Sequence, residues 1–157
     1  MSRAYQPYTP GREPCFEYLL SGGDGALVAS DELPEDDPDL GRNQVEALLA
    51  DLGEGDPVVV VGISCGLSAP YVAGMLEFAM RDPRCTAVAV GFNPVEWARD
   101  APVEGWDQTC RDIYRKIDAA SRDGDPQARY PLPPHTSPHI LSHGALCDLW
   151  PPARRWW

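Results

Sequence analysis

An α/β protein built on a parallel sheet is predicted by three features: an apolar run from Val58 to Ile63, an amphipathic stripe after Ser68, and a second apolar run from Cys85 to Phe92. The first run, VVVVGI, has no polar alternation, as in a parallel strand covered on both faces. Pro57 stands where a strand's first residue can lack its N–H. Apolar residues then recur at Tyr71, Val72, Met75, Leu76, Ala79 and Met80, the spacing that lays one face of a helix on a core. Pro70 is tolerated only in a first turn, so this helix is expected to start near Ser68. Asp82-Pro83 stops it, and CTAVAVGF follows as the second strand. Strand, helix and strand in this order make a right-handed βαβ unit.

The remaining elements follow in chain order. Residues 1–14, rich in proline, tyrosine and small polar residues, have no period and are expected to form a loose leader. Cys15 to Leu20 is β-compatible and predicts a short strand, and Ser21-Gly22-Gly23-Asp24-Gly25 turns the chain because glycine accepts positive φ. Asp24 either orients a ligand or, more commonly in such turns, bonds its own backbone. Asp37 as N-cap and Pro38 at the first position start a helix whose stripe is Leu40, Val45, Leu48, Leu49 and Leu52, and Gly53 ends it. Trp106, Cys110, Ile113 and Ile117 predict another helix, with Asp107 near its start. From about Ser121 prolines cluster and periodicity is lost, so residues 121–157 are expected to be a poorly ordered tail that does not continue the sheet. His135, His139, His143 and Cys147 recur every four residues, a metal-ligand spacing on a helix, but Pro133, Pro134, Pro138 and Gly144 break that helix, so no metal site is expected.

The chemistry concentrates in Gly62-Ile63-Ser64-Cys65-Gly66-Leu67-Ser68, between the first strand and its helix. Glycines there let the backbone approach a ligand, and the free N–H groups of a helix start attract an anion, most often phosphate. Ser64 and Ser68 can each add a hydroxyl donor. The plainer account is a tight turn with a helix cap, and the pattern alone leaves both open. Glu35-Asp36-Asp37 sits at the positive end of the following helix dipole, which explains most such clusters. A Glu35 carboxylate bound to sugar hydroxyls, or acting as an acid or base, is the alternative.

A chain of 157 residues with 43% hydrophobic content suits one domain with a core. The net charge of −11 and a pI near 4.5 exclude binding through a basic face to a nucleic-acid backbone or an anionic membrane. Five cysteines without a C-x-x-C pair suggest neither a disulfide framework nor a zinc ribbon, and read as free thiols inside a cell. The N-terminus lacks the apolar core of a signal peptide, and no apolar run is long enough to span a bilayer.

The segments YLLSGGDGALVAS, EDDPDLG, VVVVGISCGLSAPYVAGMLEFAM and VGFNPVEWARDAPVEGWDQTCRDI resemble the first sugar isomerase (SIS) domain of the glucokinase regulatory protein family, over roughly Cys15 to Ala119. The likeness extends to the bacterial N-acetylmuramic acid 6-phosphate etherases, whose glycine turn, EDD cluster and bend are echoed here. The bend Gly66-Leu67-Ser68-Ala69-Pro70-Tyr71 lacks the etherase-type arginine, which favours the regulator. The resemblance implies a three-layer αβα, flavodoxin-like fold with a five-stranded parallel sheet, which binds fructose phosphates without converting them. It implies glucokinase as the partner inhibited and retained in the nucleus, a distribution over cytoplasm and nucleus, and no cofactor. Ser64 matches a serine that binds the sugar's phosphate, Cys65 and Gly66 follow in the same loop, Ser68 stands beside it as a cap donor, and Glu35 matches the glutamate that contacts the sugar hydroxyls. The family's first strand, with a serine-bearing phosphate loop, precedes the stretch that begins at Met1, so residues 15–120 are expected to form a partial SIS domain. That strand lies in the middle of the family's sheet. The chain alone is therefore expected to have unpaired strand edges, half a ligand site and weak or absent binding. Two other readings stand beside the sugar-phosphate-binding regulator: an etherase-like lyase with Glu35 as base, and an inactive fragment.

Overall fold

The computed structural model describes residues 17–28, 33–53, 56–122 and 139–143. Its helices are α1 (Pro38–Ala50), α2 (Pro70–Ala79) and α3 (Cys110–Arg122), and its strands are β1 (Val58–Ile63), β2 (Cys85–Gly91) and β3 (His139–His143). These make an incomplete α/β fold. β1 and β2 run parallel, from Val58 opposite Cys85 to Ile63 opposite Val90, and α2 is the crossover between them. The leader at residues 1–14 and most of the tail lie outside the described residues.

α1 starts as its sequence requires. Asp37 Oδ1 accepts the Leu40 N–H at 3.0 Å, and Pro38 takes the first helical position, where a missing N–H leaves no bond unmade. The turn Ser21–Gly25 also forms, with φ of 78° at Gly22 and 67° at Gly23. Asp24 accepts a hydrogen bond from the Tyr18 hydroxyl at 2.8 Å, tying the turn to the segment before it. Where α1 crosses α2, a Cβ on Gly41 would lie 2.1 Å from the Tyr71 carbonyl oxygen, and one on Gly74 2.1 Å from that of Pro38. Only glycine lets the two backbones approach so closely.

All three helices contribute to one apolar cluster with Val60, Ala87 and Ala89 of the sheet. Glu77 is buried at its border: its carboxylate accepts from Arg42 Nη2 at 2.9 Å, Arg81 Nη2 at 2.5 Å and Trp106 Nε1 at 3.0 Å. The network joins α1, α2 and the segment before α3, and so satisfies a charge that would be untenable alone.

Four expectations are corrected. Glu17–Leu20 is not a strand, because strand structure needs a ladder partner and the edge strand β1 pairs only with β2 among the described residues. β1 is not covered on both faces: Val60 and Gly62 are buried, while Val59, Val61 and Ile63 are 36%, 47% and 67% exposed. The helices share the Val60 face, and the alternate face of this strand is left to solvent. α3 begins at Cys110, not near Trp106 or Asp107, because Thr109 and Asp112 close a capping box there. Asp112 Oδ2 accepts the Thr109 N–H at 2.9 Å and Thr109 Oγ1 accepts the Asp112 N–H at 3.2 Å. Trp106 instead forms a bridge with Val103. Finally, the tail does add to the sheet: β3 pairs antiparallel with β2, Gly91 opposite His139 and Ala87 opposite His143. The free edge of β2 offers unpaired backbone groups, and the short run between Pro138 and Gly144 supplies a partner. His139 and His143 thus belong to a strand, where four residues span about 13 Å instead of one helical turn. His135 and Cys147 lie outside the described residues.

Candidate functional site

The loop Ser64–Ser68 leaves the carboxyl end of β1 and enters α2, the location at which open α/β sheets receive ligands. Ser64 continues the ladder, its N–H donating to Val90 O at 3.0 Å, and its side chain is buried. The Ser64 carbonyl accepts the Leu67 N–H at 3.1 Å. Ser64 Oγ accepts the Ser68 N–H at 3.2 Å and the Ala69 N–H at 3.4 Å. Thus a hydroxyl from the preceding strand end occupies the place of an N-cap.

That arrangement corrects the expected role of Ser68. The N-cap of α2 is Ala69, which has no capping side chain, and α2 starts at Pro70. Ser68 is exposed, and it is Ser64 that caps. The expected set of outward amides is likewise reduced, since those of Leu67, Ser68 and Ala69 are engaged within the loop. The Cys65 and Gly66 amides make no hydrogen bond among the described residues, and Cys65 is exposed.

The loop is pinned from outside. The Phe92 N–H donates to Cys65 O at 2.9 Å, Asn93 Nδ2 to Gly66 O at 3.2 Å, and the Arg99 N–H to Leu67 O at 3.2 Å. Leu67 has φ of 53°, a left-handed conformation unusual for a leucine. Its side chain is buried against Gly91, where a Cβ would stand 2.4 Å from Leu67 Cδ2. Side-chain burial and these three bonds to the loop carbonyls, two from backbone amides and one from the Asn93 side chain, hold a strained residue in the middle of the loop.

Glu35 lies on a 3-10 turn, Leu33–Asp36, that packs against α2. It is exposed, and its carboxylate makes no hydrogen bond or ion pair among the described residues. The next residue, Asp36, pairs with the Arg99 guanidinium, and the Arg99 backbone holds Leu67. Glu35 and the loop are therefore joined through Arg99, a residue that sequence reasoning did not single out. Only the fold brings position 99 beside positions 36 and 67.

Tyr114, on α3, was also missed. It is fully buried, its hydroxyl has no hydrogen-bond partner of good geometry among the described residues, and burial pushes its pKa well above the ordinary value. The Cys110 thiol adds to that rise, and the Ser64 hydroxyl opposes it. A shallow groove lined by Leu49, Leu52, Phe78, Arg81 and Arg84 is at the other end of α2 and takes no part in the site. Among the described residues no cluster of histidine, cysteine or carboxylate side chains could hold a metal, and no helix is long and apolar enough to cross a membrane.

Comparison with known proteins shows the family of the chain. Residues 1–80, just over half of the chain, match the model of the glucokinase regulatory protein N-terminal SIS domain. The chain is 40% identical over 133 residues to the glucokinase regulatory protein of Xenopus laevis, covering 83% of this chain and 20% of that protein. Against the Homo sapiens protein the identity is 37% over 133 residues, again 20% of the relative. An N-acetylmuramic acid 6-phosphate etherase of Pectobacterium atrosepticum is 38% identical over 76 residues, 48% of this chain and 23% of the enzyme. The chain spans about a fifth of the length of the curated relatives it matches. With the strand, bend and helix of the matched region folded as described, the chain belongs to the glucokinase regulatory protein N-terminal SIS domain family.

Proposed function

We propose that the chain is a sugar-phosphate-binding regulatory module whose ligands are fructose phosphates, held at the loop Ser64–Ser68 and by Glu35. The observation that carries this reading is the pinned loop at the head of α2, with the Cys65 and Gly66 amides making no hydrogen bond among the described residues and Ser68 exposed. A phosphate dianion is a fit ligand for two such amides, a serine hydroxyl and a helix N-terminus. Ser64 adds a donor. Its oxygen accepts two N–H groups, which leaves its own proton for a phosphate oxygen. Glu35, linked to the loop through Asp36 and Arg99, accepts from the sugar hydroxyls. Glucokinase is the partner in the longer family members, acting in cytoplasm and nucleus, and the role of this chain is binding and not catalysis.

Titration of the chain with fructose 6-phosphate and fructose 1-phosphate, followed by amide chemical shifts, tests the reading. Saturable shifts at Cys65, Gly66 and Ser68 are expected, with affinity reduced about tenfold in Ser64→Ala, the loss of one hydrogen bond to a charged group. Absence of shifts at these amides refutes the reading.

The partial etherase match supports a second reading, a lyase using Glu35 as base. Glu35 is exposed, however, and no second acid or base stands beside it in the described site. Lactate release from N-acetylmuramic acid 6-phosphate, lost in Glu35→Gln, is the result that would favour it.

A further inference from the structure

The proposed site draws its two halves from separate parts of the chain, the loop Ser64–Ser68 and the turn Leu33–Asp36 that carries Glu35. Arg99 touches both. Its N–H donates to Leu67 O at 3.2 Å, and its guanidinium pairs with the Asp36 carboxylate. The backbone at this position is also fixed from α3, since the Arg111 N–H donates to Arg99 O at 3.0 Å and Arg111 Nε donates to the carbonyl of the buried Ala98 at 3.1 Å. One long side chain thus reaches from a fixed point beside the phosphate loop to the turn. The pair adds little to stability, because its side chains are 32% and 58% exposed. Asp36 also matches the charge of Arg99, so the guanidinium is no spare cation for a phosphate. What the pair fixes is the spacing between the turn of Glu35 and the loop.

We infer that Arg99 is a positioning residue that sets the preference of the site for a phosphorylated sugar over phosphate alone. The phosphate is received by the Cys65 and Gly66 amides and the serine hydroxyls, and none of these contacts depends on the Arg99 guanidinium. Glu35 differs. It is exposed, its carboxylate makes no hydrogen bond or ion pair among the described residues, and the ion pair one residue along restrains its backbone. With the turn held, the Glu35 carboxylate meets the sugar hydroxyls already in place. With the turn released, the cost of ordering it falls on the sugar contact at the moment of binding. The inference rests on the proposed sugar-phosphate reading and adds to it the residue that tells a sugar phosphate from phosphate. Arg99 itself does not touch the ligand.

Two variants break the pair while leaving the backbone bonds of Arg99 available: Arg99→Met, which keeps a long stem, and Asp36→Ala, which acts from the more exposed end. Each is titrated, as the full chain, with fructose 6-phosphate and with inorganic phosphate, and binding is followed by the Cys65 and Gly66 amide shifts. Fructose 6-phosphate affinity is expected to fall about fivefold in both variants, the size of one hydrogen bond, while inorganic phosphate affinity stays within about twofold of the wild type. Glu35→Ala is expected to lose a similar amount, and Arg99→Met combined with Glu35→Ala no more than either alone, because the two act on one contact. Asp36→Ala decides alone if Arg99→Met folds poorly. An unchanged fructose 6-phosphate affinity overturns the inference and leaves the sugar-phosphate reading standing. So does an equal loss for both ligands, which would put the guanidinium on the phosphate or its loop, and so does a double variant whose losses add. A wild-type chain whose loop amides ignore fructose 6-phosphate overturns both.

Discussion

Ser64 shows how one side chain can serve fold and ligand together. Its position after the apolar strand was legible from sequence, and so was its suitability as a hydroxyl donor. Its service as cap for two amides was not, because that depends on how the loop folds back over five residues. Glu77 was less legible still. It interrupts the apolar stretch of α2, where charge suggests a solvent-facing position, yet it is only 3% exposed. Its partners come from positions 42, 81 and 106. Glu77→Ala leaves the Trp106 N–H and the Arg42 guanidinium without their acceptor in a largely buried site, and is expected to lower stability by about 3 kcal/mol in urea unfolding. Glu77→Gln keeps an acceptor for Trp106 and is expected to lose less. Equal losses in the two variants would mean that charge, not the hydrogen bond to Trp106, is what matters there.

Among the elements, those with local signals were read correctly. Asp37 and Pro38 announce α1, and the βαβ unit follows from two apolar runs flanking one amphipathic stripe. The apolar period reaches back to Trp106, whereas α3 starts at Cys110, where Thr109-Cys110-Arg111-Asp112 carries the capping signal. The closeness of α1 and α2 has no local signature. Gly41 and Gly74 are ordinary helix glycines by sequence, and their value emerges only where each faces a carbonyl of the other helix. Gly74→Ala improves helix propensity but places a methyl against Pro38 O. A net loss of about 3 kcal/mol is expected, at the upper end for overpacking, because the obstacle is backbone. A thermal midpoint at or above the wild type's would show that the helices separate without penalty.

At the scale of the molecule, pH acts on both flanks of stability. Hydrogen bonds from Arg84 hold the Asp82 carboxyl below its ordinary 3.8, and those from Thr109 do the same for Asp112. Both contribute stability that is present above about pH 4 and lost as pH falls through their lowered values. Burial pushes the Cys85 and Cys110 thiols up from 9.0 to about 11. Folding therefore favours their neutral forms, and that contribution is intact below pH 9 and declines between 9 and about 11. Urea midpoints measured from pH 2 to 11 are expected to form a plateau falling at both ends. A midpoint that stays level from pH 9 to 11 would contradict the burial of the two thiols. The sheet itself was the hardest part to foresee. Loss of periodicity after Ser121 read as an end to structure, whereas β3 occupies the edge of β2 with a run of five residues too short to announce itself.

The sequence by itself determined the strand, the bend, the helix that follows and the family to which they belong, because each rests on contacts between near neighbours or on a long unbroken match. Only the tertiary structure decided that Ser64 caps α2, that Arg99 joins Glu35's turn to the loop, and that Tyr114 is fully buried. The first two relations connect residues 5 and 63 positions apart. Such groups meet only after α2 and α3 have packed on the sheet, and no local pattern records which partners that packing will select.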